Sequence, residues 1–295
     1  MGHLTQDELK AYQGKNVFFI GLDSDGCIFD SMEIKHKECF CPQYINHFDL
    51  QAISKYAREV WDFVNLYSRT RGCNRFLALQ HALDWLSDRD EVKARNVAPM
   101  KLQSLRDWSE RESKLGNPAL KAEIDVNPDP DLKRVYEWSL DVNVTVKKIV
   151  RNVPPFPFVR ESLEMMQDKA DVIVVSQTPS EALIREWEEN RIDSYVSMIC
   201  GQEQGTKTEH LNLTAGGKYE SGHVLMVGDA PGDLKAARAN DALFFPVNPG
   251  HEEASWELFY NEALHRFFEG TYAGDYEKEL IKTFEKMLPE NPPWK

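Results

Sequence analysis

Long hydrophobic runs are missing from this chain of 295 residues: none approaches the roughly 18 consecutive apolar residues that a membrane-crossing helix needs. Surplus positive charge is missing too. Lysine and arginine number 35 against 48 aspartates and glutamates, a formal net charge of -13. Such a surface repels nucleic acid and anionic lipid, so neither is expected as a partner, and an anionic substrate must meet a local cation. Cysteine is scarce and odd in number, five in all, with Cys27 and Cys200 in or beside apolar runs. That usage suits reduced thiols in a cytoplasmic protein and offers no disulfide framework. Cys39-x-Cys41 has His36 and His47 nearby. A zinc site asks for about four ligands in tetrahedral spacing and no second cysteine pair occurs, so a plain thiol pair is the reading adopted. The opening MGHLTQDELK places acids where a secretion signal would carry its apolar core, which also points to the cytoplasm. There is no internal repeat and no low-complexity tract.

What is present is a set of five short apolar runs: Asn16–Leu22, Asp171–Ser176, Tyr195–Cys200, His223–Gly228 and Leu243–Val247. Continuous runs of this length suit strands buried on both faces, as in a parallel sheet covered by helices. Helical patterns separate the last four, so the expected fold is a doubly wound parallel α/β core. The first two runs are too far apart for one crossover helix. Between them apolar residues recur at helical spacing, as at Ile53, Tyr56, Val60, Phe63 and Tyr67, then Leu132, Val135, Trp138 and Val142. This predicts an inserted all-helical domain over residues 32–152, with residues 1–31 and 153–295 forming the α/β domain. The proline-rich stretch Val153–Phe158 would be the stiff return linker. Thr5-Gln-Asp-Glu8 is a capping-box pattern for a short first helix, and 252–268 and 276–287 read as two amphipathic C-terminal helices.

The first run ends in Asp23-Ser-Asp25-Gly26. Side chains two apart on a strand share a face, and ligands of open parallel sheets bind beyond the carboxyl ends of the strands. There one carboxylate can attack phosphorus and bind a metal while the other exchanges protons. An aspartate–glycine pair after a strand is also a common turn, and this segment alone leaves both readings open. A calcium loop fails, because its first acidic position would be Gly21. Ser176 closes the second run, and Thr178-Pro179-Ser180-Glu181 follows as a helix start with Thr178 as its N-cap. Hydroxyl and free N–H groups before a helix suit an anion, although taken alone simple capping is the plainer reading. Lys207, in Gly205-Thr-Lys207-Thr208, follows the third run and supplies the cation an acidic chain needs. The fourth run leads into Gly228-Asp229-Ala-Pro-Gly-Asp233. Magnesium takes a few carboxylates plus substrate oxygen, and Asp23, Asp229 and Asp233 can provide them.

Together these four elements resemble the haloacid dehalogenase superfamily. Its motifs are D-x-D-G after a strand, a strand ending in Ser or Thr, a lysine before a helix, and an acidic pair after a strand. They match Val17–Gly26, Ser176, Lys207, and Asp229 with Asp233, in the same order. Cys27 stands where such proteins more often carry threonine or valine. The presence of Asp25 sets this chain apart from dehalogenases and favours phosphoryl transfer. The resemblance implies a magnesium-dependent phosphatase acting on a small phosphorylated metabolite, a sugar phosphate or phosphorylated acid. Asp23 would become an aspartyl-phosphate and Asp25 would serve as acid, then base. Lys207, Ser176 and the N–H of Gln177 would hold the phosphoryl group. Mg2+ would sit on Asp23, the backbone carbonyl of Asp25, and Asp229, with Asp233 acting through water. A phosphomutase of the beta-phosphoglucomutase type carries the same motifs and is the alternative. A non-catalytic relative would be expected to lose one of these acids or the lysine. Within the helical insertion, Arg69-Thr-Arg71-Gly-Cys-Asn-Arg75 reads as a loop between helices, and Arg71 and Arg75 are candidates to contact the leaving group. A solvated basic turn is the competing reading. Trp61, Trp85, Trp108 and Trp138 are read as core of that domain rather than a stacking platform.

Overall fold

Five parallel strands make up the sheet of this computed structural model, which describes residues 4–295. They are β1 (Phe18–Leu22), β2 (Ala170–Val175), β3 (Met198–Cys200), β4 (Val224–Gly228) and β5 (Leu243–Pro246). Their order is β3-β2-β1-β4-β5, and every neighbouring pair is parallel. Residues 1–3 of the expected α/β segment lie outside the described residues.

Alternation along the strands builds two cores. Ile20, Leu22, Val172, Val174, Leu225 and Val227 face Leu163, Trp187, Trp256 and Phe259 on one side. Phe19, Ile173, Val175, Met226 and Phe244 face Leu9, Leu211, Leu234 and Phe284 on the other. Both faces are covered, which is why the strands read as unbroken apolar runs. The C-terminal helices contribute one to each side. Glu252–Phe268, which contains a π-helical stretch at Phe259–Ala263, serves the first, and Asp275–Met287 serves the second. The first helix, Gln6–Ala11, has the capping box read from Thr5 and Glu8.

Strands β1 and β3 begin well after the apolar pattern suggests. The backbone N–H groups of Lys15 and Asn16 are drawn to the Asp171 carboxylate at 2.9 and 3.0 Å, so β1 starts only at Phe18. Asp193–Tyr195 forms a 3-10 turn, and the edge strand β3 pairs with β2 alone over three residues. In register, Leu22 lies opposite both Val174 and Val227. The carboxyl ends of β1, β2 and β4 are therefore level. The chain order reverses between β1 and β4, where an open α/β sheet leaves its crevice.

The chain divides into two compact units. One runs to Met32 and resumes over Asn152–Leu288; the other comprises Glu33–Arg151 and Pro289–Lys295. The second unit is helical, built mainly from Cys41–His47, Ser54–Leu66, Arg75–Asp88, Gln103–Arg111, Asn117–Val126 and Pro130–Ile149. Asp129 caps the last helix through Oδ1, 2.9 Å from the N–H groups of Asp131 and Leu132, with Pro130 in the first turn. Trp61, Trp108 and Trp138 are fully buried here, and Tyr44 lies 4.8 Å from Trp61 between ring centres. Trp85 is partly buried against the same core. No helix among the described residues is long and apolar enough to cross a membrane.

The expected α/β segment 153–295 needs a correction at its end, since residues 289–295 pack with the helical unit. The cause is Trp294, whose ring lies 5.5 Å from Phe63 and under the Arg89 guanidinium at 4.5 Å. Arg89 is held in turn by Glu91 at 3.0 Å and stacks on Tyr56 at 4.7 Å. The Pro289 carbonyl accepts from Arg69 N–H at 3.3 Å. A half-buried indole in a cation–π contact contributes about 1–2 kcal/mol. Trp294→Ala is therefore expected to weaken the helical unit by that amount in urea unfolding, and an unchanged midpoint would show the tail to be ornamental.

Candidate active site at the carboxyl edge of the sheet

Asp23 is the first residue beyond β1. Its N–H still bonds the Val227 carbonyl at 2.9 Å, so the sheet fixes its backbone. The side chain is 5% exposed. Oδ1 accepts from Ser24 N–H at 2.8 Å and Oδ2 accepts from Lys207 Nζ at 2.7 Å. Lys207 opens the helix Lys207–Ala215, behind a capping box formed by Thr206 and Glu209. Its ammonium also donates to Asp233 Oδ1 at 2.6 Å. Asp233 lies in the first turn of the helix Pro231–Ala239, and its Oδ2 accepts from Ala230 N–H at 3.0 Å.

Asp229 follows β4 directly and is 1% exposed. Carboxylate oxygens of Asp23, Asp229 and Asp233 all lie within 4.8 Å of one another. Burial pushes the Asp23 carboxyl well above its ordinary range; Lys207 pulls it down, and Asp233 and Asp229 push it up again. Burial would lower the Lys207 ammonium, but the Asp23 and Asp233 carboxylates outweigh it and raise it. Two of these three buried carboxylates, Asp23 and Asp233, share the Lys207 ammonium. Among the described residues this is the grouping suited to a metal ion, and it does not include Cys39 or Cys41.

Asp25 sits at a turn where the chain folds back on itself. Gly26 has φ 74°, and its N–H bonds the Phe29 carbonyl at 2.9 Å. The fold-back brings Ser31 Oγ to Asp25 Oδ1, while Thr178 Oγ1 donates to Oδ2 at 2.6 Å. Ser176 is 2% exposed, with its N–H on the Cys200 carbonyl at 3.0 Å and its Oγ accepting from Thr178 N–H at 3.2 Å. Gln177 is exposed and spans to the Gly205 carbonyl through Nε2 at 2.8 Å. Asp23, Lys207, Asp229 and Asp233 therefore meet directly, and Asp25 and Ser176 are joined through Thr178. Cys27 is wholly buried, with Sγ 3.7 Å from the Val227 carbonyl, and it fills its position as a small apolar side chain would.

The expected capping box at Thr178 and Glu181 is not formed. The helix begins at Ser180, whose N–H and Oγ both donate to Glu203 Oε2, at 2.9 and 2.7 Å. An acid from the loop after β3 does the capping, and the Thr178 hydroxyl is left for Asp25. Ser31 and Thr178 were missed as site residues because hydroxyls six and 153 positions from Asp25 carry no spacing signal.

The two arginines belong to the helical unit and are engaged within it. Arg71 is 3% exposed and donates to the Leu66 carbonyl at 2.9 Å, at the end of the helix Ser54–Leu66. Arg75 starts a helix rather than lying in the loop. It donates to Ser139 Oγ at 3.0 Å and Asn143 Oδ1 at 2.8 Å, and stacks over Phe40 at 5.1 Å. Burial pulls its guanidinium down to about 10. Arg75 thus ties its own helix to the helix Pro130–Ile149.

Residues 112–247 match the family model described as haloacid dehalogenase-like hydrolase. That stretch is a little under half of the chain. That match contains Ser176, Lys207, Asp229 and Asp233; Asp23 and Asp25 precede it and follow β1, which lies between β2 and β4. No curated protein matches the chain. Among solved structures it is similar to a protein assigned as a phosphoglycolate phosphatase from Lactobacillus delbrueckii subsp. bulgaricus, at 14% identity and TM-score 0.48, covering 88% of this chain and 100% of that one. A haloacid dehalogenase-like hydrolase from Xanthomonas campestris follows at 10% identity and TM-score 0.46, covering 88% and 97%. A protein assigned as a beta-phosphoglucomutase from Thermotoga maritima shares 12% identity at TM-score 0.37, covering 78% and 84%.

The packing beneath the candidate site yields two predictions. A Cβ on Gly228 would lie 2.4 Å from Asp233 Cβ, so Gly228→Ala must displace the acid that holds Lys207. Overpacking of this kind costs about 1–3 kcal/mol, measurable by denaturant unfolding, and an unchanged midpoint would show that Asp233 can move aside freely. His210, one turn beyond Lys207, is fully buried; burial, reinforced by the Lys207 charge, pulls its imidazole down to about 4. The unfolded chain takes up that proton near pH 6.5, so stability is intact above this pH and falls as the pH drops toward 4, by about 3 kcal/mol in all. His210→Leu should flatten that slope in thermal unfolding across the same range.

Proposed function

We propose that this chain is a magnesium-dependent phosphomonoester hydrolase working through an aspartyl-phosphate on Asp23, with a small phosphorylated metabolite as substrate. The observation that carries the reading is the Asp23 carboxylate at the end of β1, bonded by Lys207 and grouped with two further buried acids. Oxygen-only ligands suit a hard divalent cation. Asp23, Asp229 and Asp233 are the side chains that would hold it. When bound, Mg2+ would offset charge on the phosphoryl oxygens and favour the ionised form of Asp23.

The chain's own residues account for the rest. Asp23 Oδ attacks phosphorus; the ester P–O bond breaks, and its electron pair leaves on the substrate oxygen, which takes a proton from Asp25. Asp25 then removes a proton from water as that water attacks the phosphorus, returning Asp23 as a carboxylate and releasing inorganic phosphate. The Lys207 ammonium, Ser176 Oγ and the Gln177 N–H would hold the phosphoryl oxygens. In phosphoryl transfer such positioning and charge compensation supply most of the rate.

A screen of phosphorylated metabolites with Mg2+ present, reading phosphate release and isomerised sugar phosphate separately, tests this directly. Asp23→Asn is expected to stay folded and to lose about 10^4-fold or more of turnover. Chelation should silence the wild type and added Mg2+ should restore it. Turnover surviving in Asp23→Asn would remove the covalent route, and isomerised product without phosphate release would make the chain a mutase.

A further inference from the structure

Thr178 is anchored on three sides. Its N–H donates to Ser176 Oγ at 3.2 Å, its carbonyl accepts from Gln202 N–H at 3.1 Å, and its Oγ1 donates to Asp25 Oδ2 at 2.6 Å. The side chain does not cap the following helix, whose first N–H is taken by Glu203. Threonine is β-branched and stiff at χ1, so its hydroxyl is aimed by the backbone rather than by a flexible stem. The backbone is in turn tied to the loop after β3 through Gln202, and Ser176 ahead of it is tied to Cys200 in β3. Ser31 Oγ meets the other oxygen of the same carboxylate.

We propose that Thr178 is a positioning residue for Asp25, fixing the plane of the carboxyl group that exchanges protons with the leaving oxygen. This rests on the phosphatase reading above. The hydroxyl of Thr178 touches neither substrate nor phosphorus in this scheme. It acts through Asp25, and it couples the loop after β2 to the turn after β1.

The consequence depends on the leaving group. An alkyl phosphate departs as a poor alkoxide unless an acid protonates it, whereas 4-nitrophenyl phosphate leaves as a stable phenolate with little need of one. Thr178→Val keeps the shape and removes the donor. On an alkyl phosphate its kcat should fall by about 10–100-fold, the scale of a misplaced acid, with KM little changed. On 4-nitrophenyl phosphate the loss should stay within about threefold, and Thr178→Ser should recover most of the alkyl activity. Thermal unfolding of each variant checks that the fold is kept. Equal loss on both substrates, or no loss on either, overturns the positioning role. Failure of the phosphatase reading shows separately, as turnover that survives Asp23→Asn.

Discussion

The ammonium of Lys207 lies between two carboxylates that come from distant parts of the chain, 2.7 Å from Asp23 and 2.6 Å from Asp233. Burying three acids together is costly unless opposite charge is brought in with them. Lys207 can do this only because of where its helix starts. That helix follows the edge strand β3, yet the chain must pass beneath β2 and β1 to reach β4 on the other side. The passage places residue 207 beside the end of β1, and the turn after β4 brings Asp233 to the same point. Gly228 completes the arrangement, since any side chain there would collide with Asp233. The pairing depends on strand order, helix path and one missing Cβ at once.

The parts of this that could be read from sequence were those set by the chain's own periodicity. The five apolar runs correspond to the five strands because both faces of the sheet are covered, and the residues just beyond β1, β2 and β4 are the polar ones that stood out. The limits of the runs were less legible. Asn16 and Tyr195 each precede an apolar residue in sequence but lie outside strands, one held by Asp171 and the other in a 3-10 turn. Hydrophobicity records burial, and both positions sit beside buried segments without being part of the ladder.

Long-range partners were the least legible. Thr178 has the look of an N-cap, two residues before a helix and three before a glutamate, but capping is a competition among all nearby acceptors. Glu203 wins it because the loop after β3 returns alongside Ser180. The loser is then available to Asp25. In the same way Trp294, near the end of the chain, follows a helix that packs on the sheet, and nothing in its surroundings signals that its partners are Phe63 and Arg89 of the helical unit.

The arginines around Gly72 show why a basic cluster in a sequence need not be a basic patch on a surface. A helix that ends leaves carbonyls unsatisfied, and a guanidinium a few residues later is well suited to them. Arg71 does this for the Leu66 carbonyl. Arg75 ties its own helix to Ser139 and Asn143 on another. In a chain with net charge -13 the scarce cations are therefore spent partly on holding helices together. The lysine at the carboxyl edge of the sheet differs in kind: its partners are carboxylates buried with it, so its charge compensates theirs instead of closing a helix end. That contrast, more than any count of basic residues, separates a cation that balances buried acids from one that closes a helix end.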